Sequence, residues 1–124
     1  MPRVVHFEIG AEDPARAEKF YGDVFGWKMK KWEGPMDYWM VMTGDESEPG
    51  INGGMMKKCE EHPMAGTVNT IGVPSVDEYV AKITAAGGRI TVPKMAIPTV
   101  GYLAYFQDTE GNAFAIMEED ESAA

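Results

Sequence analysis

Apolar and polar positions alternate along this chain with two periods, and both recur in the same order in each half. Near the start, Val5, Phe7 and Ile9 fall on one side and His6 and Glu8 on the other, the period-2 pattern of a half-buried strand over residues 4–9. Asp13 followed by Pro14 is a helix N-cap with proline at the first helical position, where a missing N–H costs no hydrogen bond. Ala17, Phe20, Tyr21 and Val24 then recur at helical spacing and predict one buried stripe, ended by Gly26. Strands are predicted over residues 27–32, 38–42 and 51–56, the last weakened by Gly53 and Gly54.

The second half repeats this order. Residues 67–73 read as a strand, and Ser75 with Glu78 as a capping box. Tyr79, Val80 and Ile83 form a helical stripe that stops at Gly87 and Gly88. A strand over 89–92, a proline-punctuated loop over 93–101, and strands over 102–107 and 113–117 complete the half. His6 matches Val68, Asp13 matches Ser75 and Gly26 matches Gly88, at a constant offset of 62 residues. The fold class is therefore α+β: two tandem βαβββ units, about 4–56 and 67–118, in one domain spanning 1–124. A linker at about 57–66 joins the units, and residues 119–124 form an acidic tail.

Composition narrows the partners. A net charge of −9 argues against nucleic acid and against an anionic membrane surface. Part of that charge sits in Glu118, Glu119, Asp120 and Glu121, read as a solvated, frayed end. No apolar run approaches the ~20 residues that span a bilayer. Met1 to Val5 enters a strand directly, without an apolar leader, and the single cysteine cannot form an internal disulfide. A cytoplasmic location is the expectation.

Few side chains can carry chemistry. Cys59 and His62 have the spacing of half a zinc site, but no second Cys/His pair exists to close it. Gly50 to Gly54 is glycine-rich but lacks the helix that a phosphate cradle needs. His6 faces away from the core side of its strand and could line a pocket, hydrogen-bond, or act as an acid or base. Glu8 shares that face and could orient His6 or act as a weaker base. A solvated carboxylate is its plainer reading. Tyr38, Trp39, Met40, Met42, Met55, Met56, Tyr102 and Tyr105 crowd three strands. Alternation assigns half of them to a wall suited to an apolar or planar ligand.

His6-Phe7-Glu8-Ile9, Asp13-Pro14-Ala15-Arg16-Ala17, Phe20-Tyr21 and Val24-Phe25-Gly26-Trp27 resemble the opening of glyoxalase-like proteins. These belong to the vicinal oxygen chelate superfamily, with glyoxalase I, extradiol dioxygenases and bleomycin-resistance proteins. Asp108-Thr109-Glu110-Gly111-Asn112 resembles that family's closing turn, with threonine replacing a proline. The resemblance covers about residues 4–118. It implies a curved mixed sheet around a cleft and a homodimer, paired or half-swapped. It also implies a divalent metal held by His and Glu at the head of strand one and in the last strand of each half. Those positions fall on His6, Val68, a place near Asn52, and Ala115. Asn69 and Glu118, the nearest polar alternatives, lie on opposite strand faces. Stable transition-metal sites need about three or more good ligands, so the donor set reads as degenerate. The phase of Asn52 favours a ligand pocket of His6, Met40, Met42, Asn52 and Tyr105.

The expectation is a metal-independent binder of a small apolar or aromatic molecule, with no firm cofactor and no glyoxalase I activity. The alternatives are a metal-dependent lyase, isomerase or dioxygenase using His6, and a non-catalytic dimeric accessory module.

Overall fold

Asp13 is extended and its carboxylate accepts the Arg16 N–H at 3.2 Å, Pro14 follows, and Gly26 closes the helix at φ +72°. These caps fix helix α1 (Pro14–Phe25) between strands β1 (Arg3–Ala11) and β2 (Lys28–Lys31). Strands β3 (Tyr38–Met42), β4 (Gly53–Lys57) and β5 (Thr67–Gly72) follow. Helix α2 (Val76–Ala85) and strands β6 (Arg89–Ile97), β7 (Gly101–Gln107) and β8 (Ala113–Glu119) complete the order. This computed structural model describes residues 2–34, 37–58 and 66–124. Cys59 and His62 lie outside the described residues. Two compact units result, His6–Thr67 and Met1–Val5 with Val68–Ala124. No helix is long and apolar enough to cross a membrane among the described residues.

In the unit His6–Thr67 the strands run β2-β3-β4-β1, with β1 parallel to β4 and the other pairs antiparallel. Phe7 and Val41 both pair with Gly53, and Ile9 and Trp39 both pair with Met55, so these residues share one face. Val41 and Met55 are fully buried there, and the Phe7 ring meets Trp27 at 5.9 Å. Tyr21 of α1 stacks on Trp27 at 5.1 Å. The helix stripe differs from the one expected. Ala17 and Tyr21 are half-buried, but Phe20 is 55% and Val24 56% exposed, and no α1 residue is fully buried. A helix resting on Trp27 through Tyr21 presents only a narrow strip inward, and Phe20 and Val24 fall at its margin.

In the other unit the order is β5-β8-β7-β6, with β5 parallel to β8. Val73, Val76, Ala104 and Ile116 form the core, with Tyr79, Val80 and Ile83 of α2 packed on it as their spacing predicts. Glu118 reaches back to accept the Val76 N–H at 2.9 Å, while Ser75 accepts that of Glu78 at 3.2 Å.

Two expectations are corrected. Residues 93–97 continue β6 instead of forming a loop. Pro93 is tolerated because β6 ends its unit's strand order and its register shifts between Val92 and Met95. The acidic end is not frayed. Glu118 and Glu119 belong to β8, Asp120 N–H donates to Val100 O at 3.0 Å, and Thr99 N–H donates to Ala123 O at 3.0 Å. Ala123 is 4% exposed.

Candidate functional site

Strand alternation sends His6 and Glu8 to the face opposite Phe7 and Ile9. The register adds to that face Gly54, which pairs with Glu8, and Met40, which pairs with Gly54. Tyr38, two residues before Met40, points the same way. His6 Nε2 and the Tyr38 hydroxyl are 2.9 Å apart. The Tyr38 hydroxyl is also hydrogen-bonded to the Glu8 carboxylate. Glu8 is 4% exposed, which corrects its reading as a solvated group. Burial makes such a group costly, and the Tyr38 hydroxyl supplies the partner that offsets it.

Gly54 makes this arrangement possible. A Cβ at position 54 would overlap the Tyr38 hydroxyl and ring. The tyrosine therefore occupies space that any other residue would fill. On its other side its ring meets Trp32 edge-on at 6.3 Å.

Electrostatics follow from burial. The His6 imidazole titrates below its ordinary value near 6.5, first because burial disfavours the cation, with the Glu8 charge partly offsetting this. The Tyr38 phenol is pushed far above its ordinary value, by burial first and then by the neighbouring Glu8 charge and hydrogen bond. At neutral pH the phenol therefore keeps its proton. The Tyr38 hydroxyl has a single proton to share between Glu8 and His6 Nε2, so which of the two receives it depends on the histidine tautomer.

Met40 and Met42 lie on the His6 face, and Met40 is 42% exposed. Lys28 and Lys30 of β2 pair with Met42 and Met40 and are exposed. Asn52 precedes β4, and its side-chain oxygen accepts the Thr43 N–H at 2.9 Å, a structural duty. Tyr105 belongs to the other unit, where it pairs with Ala115 and Val92.

The register also corrects the place assigned to Asn52. In the second half Thr70 pairs with Ala115, and Glu8, 62 residues earlier, pairs with Gly54. Gly54, not Asn52, is thus the counterpart of Ala115. Position 38 corresponds likewise to Leu103, because Tyr38 pairs with Met56 and Leu103 with Met117. The polar set His6, Glu8 and Tyr38 is matched in the second half by Val68, Thr70 and Leu103. Thr70 is 1% exposed, with no hydrogen-bond partner for its hydroxyl among the described residues.

With Gly54 in place of Asn52, the four positions hold His6, Gly54, Val68 and Ala115, which supply one donor side chain. Among the described residues, no three His, Cys, Asp or Glu side chains stand close enough to share an ion. This donor set does not fit the family's divalent metal.

Tyr38 is the site residue that the sequence pattern leaves unmarked. It shares parity with Met40, but its partnership with His6 depends on the gap at Gly54. A separate open groove of about 480 Å³ lies along α1, lined by Ile9, Gly10, Arg16, Phe20, Tyr21 and Lys58, and contains none of these residues.

Comparison with known proteins agrees with the fold. A glyoxylase-like domain-containing protein of Didymella fabae is 34% identical over 116 residues, covering 88% of each chain. A candidate glyoxylase of Mycobacterium bovis, CFP32, is 29% identical over 117 residues, but this chain spans only 42% of its length. Among solved structures, a Streptomyces coelicolor methylmalonyl-CoA epimerase in complex with 2-nitronate-propionyl-CoA superposes with a TM-score of 0.71. It shares 15% identity and is covered to 97%, against 98% of this chain, which shows a common fold alone. Residues 3–116 match one family profile over most of the chain. The chain belongs to the glyoxalase/bleomycin resistance protein/dioxygenase superfamily.

Proposed function

We propose that this protein binds a small apolar or aromatic molecule on the His6 face and holds no resident metal there. One observation carries the reading. The ring nitrogen His6 Nε2 is committed to Tyr38 at 2.9 Å, within a chain that ends on buried Glu8. A metal at that nitrogen would have to displace its proton and break this contact. The absence of donor side chains at positions 54, 68 and 115 supports the same reading. Met40 and Met42, on the same strand face as the histidine, provide an adaptable apolar wall. Homodimerisation and a cytoplasmic location, expected from the family and the composition, belong to this proposal, and light scattering reads the first.

A second reading, an enzyme using His6 as acid or base, is favoured by the juxtaposition of three titratable side chains on one strand face. Elemental analysis of protein purified without chelator, paired with thermal shift against an aromatic panel, tests the proposal. The expected result is far less than one equivalent of zinc, nickel, iron or manganese, with a higher Tm for some aromatic compounds. Stoichiometric metal that is lost in His6→Gln would overturn it.

A further inference from the structure

Resting on that reading, we infer that the His6–Tyr38–Glu8 chain makes the site a hydrogen-bond acceptor for a neutral donor group. The ligand class is then a phenol, an enol or an acidic N–H compound, and not a carboxylate.

The inference comes from counting protons along the chain. Glu8 is a buried carboxylate and can only accept. Tyr38 has one proton, and it is directed to Glu8. The contact of 2.9 Å between Tyr38 and His6 Nε2 then needs a proton from the ring. His6 is accordingly fixed as the Nε2–H tautomer, and Nδ1 carries the lone pair. Tyr38 is a positioning residue here, since it sets the tautomer without meeting the ligand. A ligand donor hydrogen-bonded to Nδ1 would complete the chain, while a second acceptor would face a lone pair.

Charge points the same way. A ligand carboxylate would set its own acceptor oxygens against the Nδ1 lone pair, one hydrogen-bond chain from the Glu8 carboxylate. Among the described residues of β1–β4, the other charged side chains on this face are Lys28 and Lys30. They are exposed, two strands from β4, where water screens them. The strand between, β4, contributes only Gly54 and Met56 opposite Glu8 and Tyr38.

Two measurements test this. Three probes of one shape, 2-naphthol, 2-methoxynaphthalene and 2-naphthoate, are titrated by calorimetry into the full chain. The naphthol should bind about tenfold tighter than its ether, the worth of one hydrogen bond in a covered site, and tighter still than the carboxylate. His6→Leu should erase the naphthol–ether difference. Equal binding of naphthol and ether, or preference for the carboxylate, overturns the inference and leaves the apolar-binding proposal intact. Failure of all three to bind overturns that proposal, and the inference with it. Independently, ¹⁵N spectra of histidine-labelled protein read the tautomer, and assignment is simple because the chain has only two histidines. The neutral Nε2–H form is expected, and Tyr38→Phe, close in size and checked by circular dichroism, should relax it. An Nδ1–H tautomer overturns the inference whatever the ligands do.

Discussion

Adding one methyl group at Gly54 should damage this protein more than its size implies. The new Cβ of Gly54→Ala would stand inside the Tyr38 hydroxyl and ring, so the tyrosine must move. Overpacking of this kind costs about 1–3 kcal/mol. Moving Tyr38 also takes a donor from the buried Glu8 carboxylate, worth about another 1–3 kcal/mol. Replacing glycine lowers the entropy of the unfolded chain and returns about 0.4–1 kcal/mol. The net loss is about 1–5.6 kcal/mol, set against a typical domain's stability of about 5–15 kcal/mol. Gly22→Ala is the matched control. Its Cβ would meet only Trp27 O at an ordinary 3.5 Å, within a helix. That change should stabilise by about 0.5–1 kcal/mol. Urea unfolding midpoints of the two variants should therefore move in opposite directions from the parent. A Gly54→Ala protein at least as stable as the parent, with an unchanged His6 spectrum, would refute the packing argument.

The depressed His6 pKa fixes a pH dependence. Between the folded value and about 6.5 the unfolded chain binds more protons at this residue, so its contribution to stability rises with pH and levels off above that window. Urea midpoints at about pH 5.5 and pH 7.5 should differ less in His6→Gln than in the parent. The raised Tyr38 pKa works at the other end: above about pH 10 the unfolded chain loses a proton that the native state keeps, so stability falls as pH rises. Tyr38→Phe should remove that alkaline loss, read by circular dichroism melts across the range. Ser75→Ala removes the α2 cap and should cost about 1 kcal/mol in urea unfolding, with no change in probe affinity.

Much of the scaffold was legible because its signals are local. Asp13-Pro14, Ser75 and the glycines after each helix act within a turn, and β3 follows directly from its run of bulky residues. Non-local contacts decided the rest. Glu8 reads as a surface carboxylate until Tyr38 is known to reach it, and Tyr38 can reach it only because Gly54 is opposite. Asn52 and Gly54 differ by two residues and share strand parity, so alternation alone does not distinguish them. Pro93 reads as a strand breaker unless β6 is known to end its unit's strand order. The exposed Phe20 and Val24 show that helical spacing marks an apolar face but not how much of it a sheet covers.

In the proposed site His6 is held by Tyr38 and Glu8 and not by a metal. The most direct test is the ¹⁵N spectrum of histidine-labelled protein before and after addition of zinc, nickel or manganese. An Nε2-protonated His6 signal that stays in place through the titration is the predicted result. Loss of that proton at one equivalent of metal would contradict the account.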